Sequence, residues 1–222
     1  MSDARAFIFD LDGTLIDSLE DIAGALNAAL AALARAPAPV DQVGRWVGDG
    51  VTVLCQRALP DGDPSTLSRL AQMMRAAYQA HYLDHTRPYP NILPMLKLLI
   101  ARGSPCAVLS NKPHDMSVQI VERLGLRGYF EDVRGCTHDE ERKPSPAAAL
   151  ELARRLGVVP ASIFFVGDSP VDILTARNAG MIAVSVTWGL RPKEELQAAG
   201  PDFVVDDPLQ LPDLPGGTLF AG

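Results

Sequence analysis

Short apolar runs alternate with stretches of helical periodicity along most of this chain. The runs are four or five residues long and end at polar or turn residues, which is typical of buried strands. They lie at residues 6–9, 106–109, 163–166 and 182–186, with further candidates at 132–135 and 202–205. Apolar residues at helical spacing predict helices between them, at 92–101, 117–124, 145–156 and 171–179. This alternation predicts an α/β fold with a doubly wound, parallel, Rossmann-like sheet.

A different pattern follows the first strand. Residues 17–33 and 65–83 carry the helical period, and 40–59 is typical of two short helices split at Gly48-Asp49-Gly50. Because no convincing strand interrupts them, residues 17–85 are expected to form a helical cap domain inserted into a core of 1–16 and 86–222. The tail from Pro208 is rich in proline and glycine and is expected to run over the surface.

Composition narrows the class of partner. The 222 residues carry a formal net charge of −7 without any run of lysine or arginine, which disfavours nucleic acid and membranes as partners. No apolar stretch is long enough to cross a bilayer, the N-terminus lacks a signal-peptide pattern, and the three cysteines are scattered. These features predict a cytoplasmic protein and leave its assembly open between monomer and homodimer.

Candidate chemistry begins where the first strand ends. Asp10 and Asp12 follow that strand, and alternate residues of an extended chain point the same way, so both carboxylates are expected at one lip of the sheet. Gly13 lets the backbone turn and approach a ligand closely, and Thr14 adds a hydroxyl. For these residues alone, an acidic turn without chemistry is the alternative.

Polar residues also end two later strands. Ser110 and Asn111 offer a hydroxyl and an amide to a phosphoryl oxygen, although such a pair in isolation is more often a turn. Asp168 ends the strand at 163–166, and Asp172 lies one helical turn further on, where an aspartate often serves only as a cap. Converging carboxylates require a cation, and oxygen ligands suit Mg²⁺.

Lys143 is one of four lysines in the chain. Pro144 restricts it to extended geometry, and Ser145 with Pro146 is typical of an N-cap and first helical turn. A lysine of this kind, taken alone, is by default a surface residue.

Four stretches of the chain, taken in order, resemble the four motifs of the haloacid dehalogenase superfamily. They are the Phe-Asp-Leu-Asp-Gly-Thr-Leu string around Asp10, Ser110-Asn111, Lys143, and the Gly-Asp-x-x-x-Asp string ending at Asp172. Members of the superfamily transfer phosphoryl groups through an aspartyl phosphate. The resemblance covers essentially the whole chain.

The resemblance implies Asp10 as nucleophile, Asp12 as general acid and base, and Lys143 as the cation that neutralises the nucleophile and the phosphoryl group. The implied phosphate-binding residues are Gly13, Thr14, Ser110, Asn111 and Lys143. The implied Mg²⁺ ligands are Asp10, the backbone carbonyl of Asp12, and Asp168. Asp172 is expected either to bind the metal or to lie behind its ligands and pair with Lys143.

Within the helical stretch, Trp46-Val-Gly-Asp-Gly-Val resembles the cap loop of phosphoglycolate phosphatases. Gly48 and Gly50 could offer backbone N–H groups to a small carboxylate, and Arg45 is a nearby cation. A plain turn between helices is the alternative. Asn91 departs from the family pattern, in which glycine follows Tyr-Pro.

The resemblance therefore implies a Mg²⁺-dependent phosphomonoester hydrolase acting on a small phosphorylated metabolite, with 2-phosphoglycolate favoured. Another small ester, pyrophosphate and a sugar phosphomutase activity remain open. The stretch between Asp12 and Leu96 lacks the lysine that phosphonoacetaldehyde hydrolases need for a Schiff base. The intact motif residues disfavour a non-catalytic regulator.

Overall fold

A computed structural model of the chain describes residues 5–215. These fall into two compact units, one of residues 5–15 and 88–215 and the other of Ile16–Arg87. The strands of the described chain are β1 (Ala6–Phe9), β2 (Ile16–Asp17), β3 (Arg87–Pro88), β4 (Cys106–Pro113), β5 (Asp132–Cys136), β6 (Ile163–Gly167), β7 (Ile182–Val186) and β8 (Phe203–Val205). The α-helices are α1 (Leu19–Ala32), α2 (Val40–Trp46), α3 (Val51–Ala58), α4 (Pro64–His81), α5 (Ile92–Ala101), α6 (His114–Arg123), α7 (Ala147–Leu156), α8 (Pro170–Asn178) and α9 (Lys193–Ala199).

Six parallel strands form the sheet of the first unit, in the order β5-β4-β1-β6-β7-β8. The predicted doubly wound parallel sheet is therefore confirmed. The chain winds outward in both directions from β1, so a crevice is expected beside the carboxyl end of β1, where open α/β sheets bind ligands. Asp10 and Asp168 lie at that edge because they follow β1 and β6, and Ser110 and Asn111 lie in the second half of β4.

Burial on both faces explains the apolar composition of the central strands. Every residue of β1 is fully buried, and the Phe7 and Phe164 rings stack with centroids 5.0 Å apart. On the other face, Ile8 and Phe165 belong to a core cluster with residues of α7 and α8. This packing fixes the strand ends from which the polar residues project.

The second unit is mainly helical, with α1 packed against α2 and α4, and α3 against α4. Asp21 on α1 is buried and accepts hydrogen bonds from the backbone N–H groups of His85 and Thr86 and from the Thr86 hydroxyl. Where the chain enters and leaves this unit, β2 and β3 form a two-stranded sheet. Sequence reasoning missed this sheet because two-residue strands are too short to show a period.

Several predicted boundaries differ from the structure. β4 continues to Pro113, beyond the predicted end at 109, and α9 was missed. The predicted Ser145 cap is wrong, because α7 begins at Ala147 with Pro146 in the N-cap position. The prediction of a tail that runs over the surface is also wrong for Pro208–Asp213, because this segment forms a 3₁₀ helix in which Leu211 is fully buried. Residues 216–222 lie outside the described residues.

Asn91 lies just before α5 with a φ of 65°, in the left-handed region. Glycine and asparagine are the residues that adopt this conformation most readily, so asparagine can replace the glycine of the family pattern. Its amide donates to Asp207 Oδ2 at 3.0 Å. Within residues 5–215, none of the helices has the length and apolar character needed to span a bilayer.

Candidate active site

Lys143 joins two buried carboxylates at the carboxyl edge of the sheet. Its Nζ lies 2.7 Å from Asp10 Oδ1 and 2.7 Å from Asp172 Oδ1. All three side chains are at least nine-tenths buried. Three distant parts of the sequence thus meet: the end of β1, the segment before α7, and the first turn of α8. Lys143 is not a surface lysine.

The first turn of α8 holds Asp172 in place. Its Oδ2 accepts from the Ser169 hydroxyl at 2.6 Å and the Ser169 N–H at 3.1 Å, which completes a capping box. Asp172 is therefore both a helix cap and a partner of Lys143. Gly167 leaves the necessary space, because a Cβ there would lie 2.2 Å from Asp172 Cγ.

Asn111 holds the backbone of Lys143 from the other side. Its Oδ1 accepts from the Lys143 N–H at 2.7 Å, and its Nδ2 donates to the Lys143 carbonyl at 3.1 Å. The side chain is buried at the end of β4. Asn111 thus fixes the position from which the lysine side chain extends. This contact links residues 32 positions apart, and no local pattern signals it.

Asp168 is held by a loop that sequence reasoning did not select. The Leu190 N–H donates to Asp168 Oδ2 at 2.6 Å. A Cβ on residue 189 would lie 2.3 Å from Asp168 Cβ, so only glycine fits at this position of the loop. The Trp188 indole N–H donates to the Thr14 carbonyl at 3.0 Å. The Trp-Gly pair after β7 was the available sequence signal.

Asp10, Asp168 and Asp172 each offer a carboxylate oxygen within 4.8 Å of the others. Two of them, Asp10 and Asp172, contact the ammonium group of Lys143, so three ionised carboxylates and one ammonium carry two formal negative charges. A divalent cation would balance those charges, and oxygen donors suit Mg²⁺. The buried residues present therefore fit the magnesium ion that the family implies.

Burial alters the titration of this cluster. It raises the pKa of Asp168 to about 7, reinforced by the charge of Asp172. It also raises the pKa of Asp10 well above the ordinary value, although Lys143 opposes the rise. Burial lowers the pKa of Lys143, but the charges of Asp10 and Asp172 outweigh it and raise the pKa overall. A further cation beside Asp10 and Asp168 would oppose both rises by favouring the charged forms.

Asp12 lies in a second, separate ion pair. Its Oδ2 is 3.0 Å from Lys112 Nζ, and the two side chains are 11% and 8% exposed. Ser110 lies nearby in sequence, and its Oγ accepts from the Lys112 N–H at 3.1 Å. That contact leaves the Ser110 hydroxyl proton available for an oxygen acceptor.

Gly13 and Thr14 bring the backbone close to Asp168. Gly13 has a φ of 80°, and a Cβ there would lie 2.1 Å from Asp168 Oδ2. Thr14 Oγ1 is buried and, among the described residues, has no hydrogen-bond partner. A buried hydroxyl without a partner is costly, and a ligand oxygen would satisfy it.

The predicted cap residues lie in the helical unit. Arg45 is exposed in the last turn of α2. Gly48 and Gly50 have backbone φ angles of 122° and 88°, which residues other than glycine rarely adopt. Arg57 contacts this loop at two points. Its Nη2 lies 2.6 Å from Asp49 Oδ2, and its Nη1 donates a hydrogen bond to the Trp46 carbonyl. These contacts suit a turn and leave a ligand role as a prediction.

Comparison with known proteins identifies the family of this chain. The family model described as haloacid dehalogenase-like hydrolase matches residues 4–180. A phosphoglycolate phosphatase from Neisseria meningitidis is 38% identical over 209 residues, covering 90% of this chain and 89% of the relative. Phosphoglycolate phosphatase 1 from Pseudomonas aeruginosa is 34% identical over 210 residues, covering 91% of this chain and 76% of the relative.

A solved structure described as a predicted phosphoglycolate phosphatase from Haemophilus somnus has a TM-score of 0.89 and 31% identity. The match covers 96% of this chain and 99% of that one. The resemblance inferred from the motifs is thereby confirmed. The chain belongs to the haloacid dehalogenase-like hydrolase family and is a phosphoric monoester hydrolase.

Proposed function

We propose that this protein hydrolyses 2-phosphoglycolate to glycolate and phosphate, with Mg²⁺ bound at Asp10, Asp168 and the Asp12 carbonyl. The observation that carries the proposal is the buried cluster in which Lys143 bridges Asp10 and Asp172 within reach of Asp168. The relatives that match most of the chain are named phosphoglycolate phosphatases, which supports this substrate. Asp172 pairs with Lys143 behind the metal ligands.

In the first step, a carboxylate oxygen of Asp10 forms a bond to phosphorus while the bond from phosphorus to the glycolate oxygen breaks. Asp12 gives its proton to the leaving oxygen. Lys143 and the Ser110 hydroxyl stabilise the phosphoryl oxygens. When bound, Mg²⁺ would neutralise phosphoryl charge and help to orient that group.

In the second step, Asp12 accepts a proton from water as the water oxygen bonds to phosphorus. The bond between phosphorus and the Asp10 oxygen breaks, which releases phosphate and restores the Asp10 carboxylate and the protonated Asp12. The same residue acts as acid and then as base, so one turnover returns the site to its starting protonation.

Initial rates of phosphate release should be measured with Mg²⁺ on 2-phosphoglycolate, glycerol 3-phosphate, a hexose phosphate, pyrophosphate and p-nitrophenyl phosphate. We expect the highest kcat/KM for 2-phosphoglycolate and no turnover in excess chelator. Asp10→Asn should abolish turnover with the fold intact, because an amide is a poor nucleophile. A hexose phosphate or pyrophosphate that clearly outperforms 2-phosphoglycolate would refute the substrate, and transfer to a sugar phosphate would indicate a phosphomutase.

The cap loop offers a second test of the substrate. Arg45→Ala should lower kcat/KM for 2-phosphoglycolate more than for p-nitrophenyl phosphate if the cap binds the carboxylate. Arg45 is a cleaner position than Gly50, where the positive φ means that any side chain would strain the loop itself. Equal losses on both substrates would mean that the loop is a structural turn.

A further inference from the structure

Lys112 is a largely buried cation that the four motifs leave without a role. It lies near the end of β4, its side chain is 8% exposed, and its Nζ is 3.0 Å from Asp12 Oδ2. The Ser110 hydroxyl accepts from its backbone N–H, which fixes the direction of the chain at this point. A lysine is rarely buried without a partner of opposite charge, and here that partner is the proposed proton donor.

The two lysines of the site serve different carboxylates. Lys143 contacts Asp10, which attacks the phosphoryl group under the proposed function, and Asp172, which lies behind the metal ligands. Lys112 contacts Asp12, whose proton goes to the leaving oxygen. Under the proposed function, Lys112 therefore lies on the side of the leaving group.

Bond lengths allow Lys112 to reach the leaving group. A hydrogen bond of about 3 Å joins Asp12 to the ester oxygen in the proposed first step. The Lys112 ammonium lies one further contact of 3.0 Å away. The carboxylate carbon of glycolate is two covalent bonds from the ester oxygen, so its oxygens can approach the ammonium. An ammonium has three donors, so it can hold Asp12 and a substrate carboxylate together.

We propose that Lys112 binds the carboxylate of the leaving group and gives the catalytic unit its own preference for small anionic phosphate esters. This inference rests on the proposed function and adds a specificity residue outside the cap. A neutral leaving group offers the same ammonium at most an uncharged oxygen and so loses the attraction between opposite charges, which disfavours sugars and simple alcohols.

The test compares 2-phosphoglycolate with 2-phosphoglycolamide, a neutral ester of nearly the same shape, in wild type and Lys112→Met. We expect wild type to prefer the acid and Lys112→Met to lose that preference by about 10- to 100-fold in the ratio of kcat/KM values. Lys112→Arg should retain much of the preference because it keeps the charge. Lys193→Met is the matched control, since Lys193 also lies 3.0 Å from an aspartate but is exposed; it should keep the full ratio.

Each other result counts against the inference in a distinct way. If Lys112→Met lowers kcat/KM equally for the acid and the amide, Lys112 only positions Asp12 and the inference is wrong. If wild type prefers the acid and Lys112→Met keeps that preference, the carboxylate is bound elsewhere and the proposed function survives alone. If wild type does not distinguish acid from amide, both the substrate and the role of Lys112 fail. Should Lys112→Met not fold, Lys112→Gln and inhibition of wild type by glycolate against glycolamide give the same comparison.

Discussion

Asn111→Ala is expected to reduce both stability and catalysis, because Asn111 holds the backbone from which Lys143 extends. The variant removes two buried hydrogen bonds, of 2.7 and 3.1 Å, and leaves the N–H and carbonyl of Lys143 without these partners. At about 1–2 kcal/mol for each, the free energy of unfolding should fall by about 2–4 kcal/mol. A displacement of Lys143 Nζ of about 1 Å should lower kcat by about 100-fold.

Asn27 provides a matched control within the helical unit. It makes the same pair of bonds to a single residue, with its amide donating to the Ala38 carbonyl at 3.0 Å and accepting from the Ala38 N–H at 2.8 Å. Asn27→Ala should therefore lower stability by about 1–2 kcal/mol, since this site is less buried, while kcat stays unchanged.

The assay combines urea unfolding with initial rates on 2-phosphoglycolate and p-nitrophenyl phosphate. Because the proposed function places Lys143 against the phosphoryl group, kcat should fall by similar factors for both substrates in Asn111→Ala. A purely phosphate-binding role for Asn111 would leave the stability of the ligand-free protein unchanged. Activity within threefold of wild type in the folded variant would refute the positioning role, as would an equal loss of activity in Asn27→Ala.

The remaining expectations concern titration, loop geometry and an unpaired hydroxyl. Burial raises the pKa of Asp168 to about 7 from 3.8, so this group binds a proton in the folded state that it has lost in the unfolded state, and the Tm of chelator-treated protein should fall as pH rises from about 4 to about 7. Mg²⁺ should reverse that fall, and a flat Tm profile in chelator would contradict the shift. Gly189→Ala places a Cβ 2.3 Å from Asp168 Cβ and should weaken Mg²⁺ binding, measured by calorimetry, about 10-fold or more. Gly24→Ala on α1 meets nothing within 4 Å and should keep wild-type affinity, and a similar affinity in both variants would argue against the close approach. Ser185 Oγ is buried without a partner among the described residues, so Ser185→Ala should keep or raise Tm. Ser117→Ala, which loses a hydrogen bond of 3.1 Å, should lower Tm, and the opposite order would refute the comparison.

The sequence by itself determined the central strands and the polar residues that end them. Residues 6–9 coincide with β1 because a strand buried on both faces is nearly continuously apolar, and Asp10 marks its end. Residues 182–186 coincide with β7 for the same reason, although this strand also contains the buried Ser185. The helix at 92–101 was predicted to the residue for a similar reason, since its period and its flanking turns are local. The motif spacing then identified the family.

Tertiary structure decided which of these residues touch. Lys143 bridges Asp10 and Asp172, and Asn111 holds Lys143, through contacts that join separate strands and loops. No period or propensity records such contacts, because they depend on the order of strands in the sheet rather than on neighbours in the chain. The boundary errors have the same origin, since β4 extends to Pro113 by pairing with β5.

The loop after β7 and the pair formed by Asp12 and Lys112 show this limit most clearly. Gly189 and Leu190 reach Asp168 only because β7 lies beside β6 in the sheet, which brings the loop over the carboxyl end of β6. Lys112 lies beside Asp12 because β4 lies beside β1 and continues past its predicted end. A sequence specifies which side chains carry charge, whereas the fold decides which charges meet, because the free energy of an ion pair depends on distance and burial.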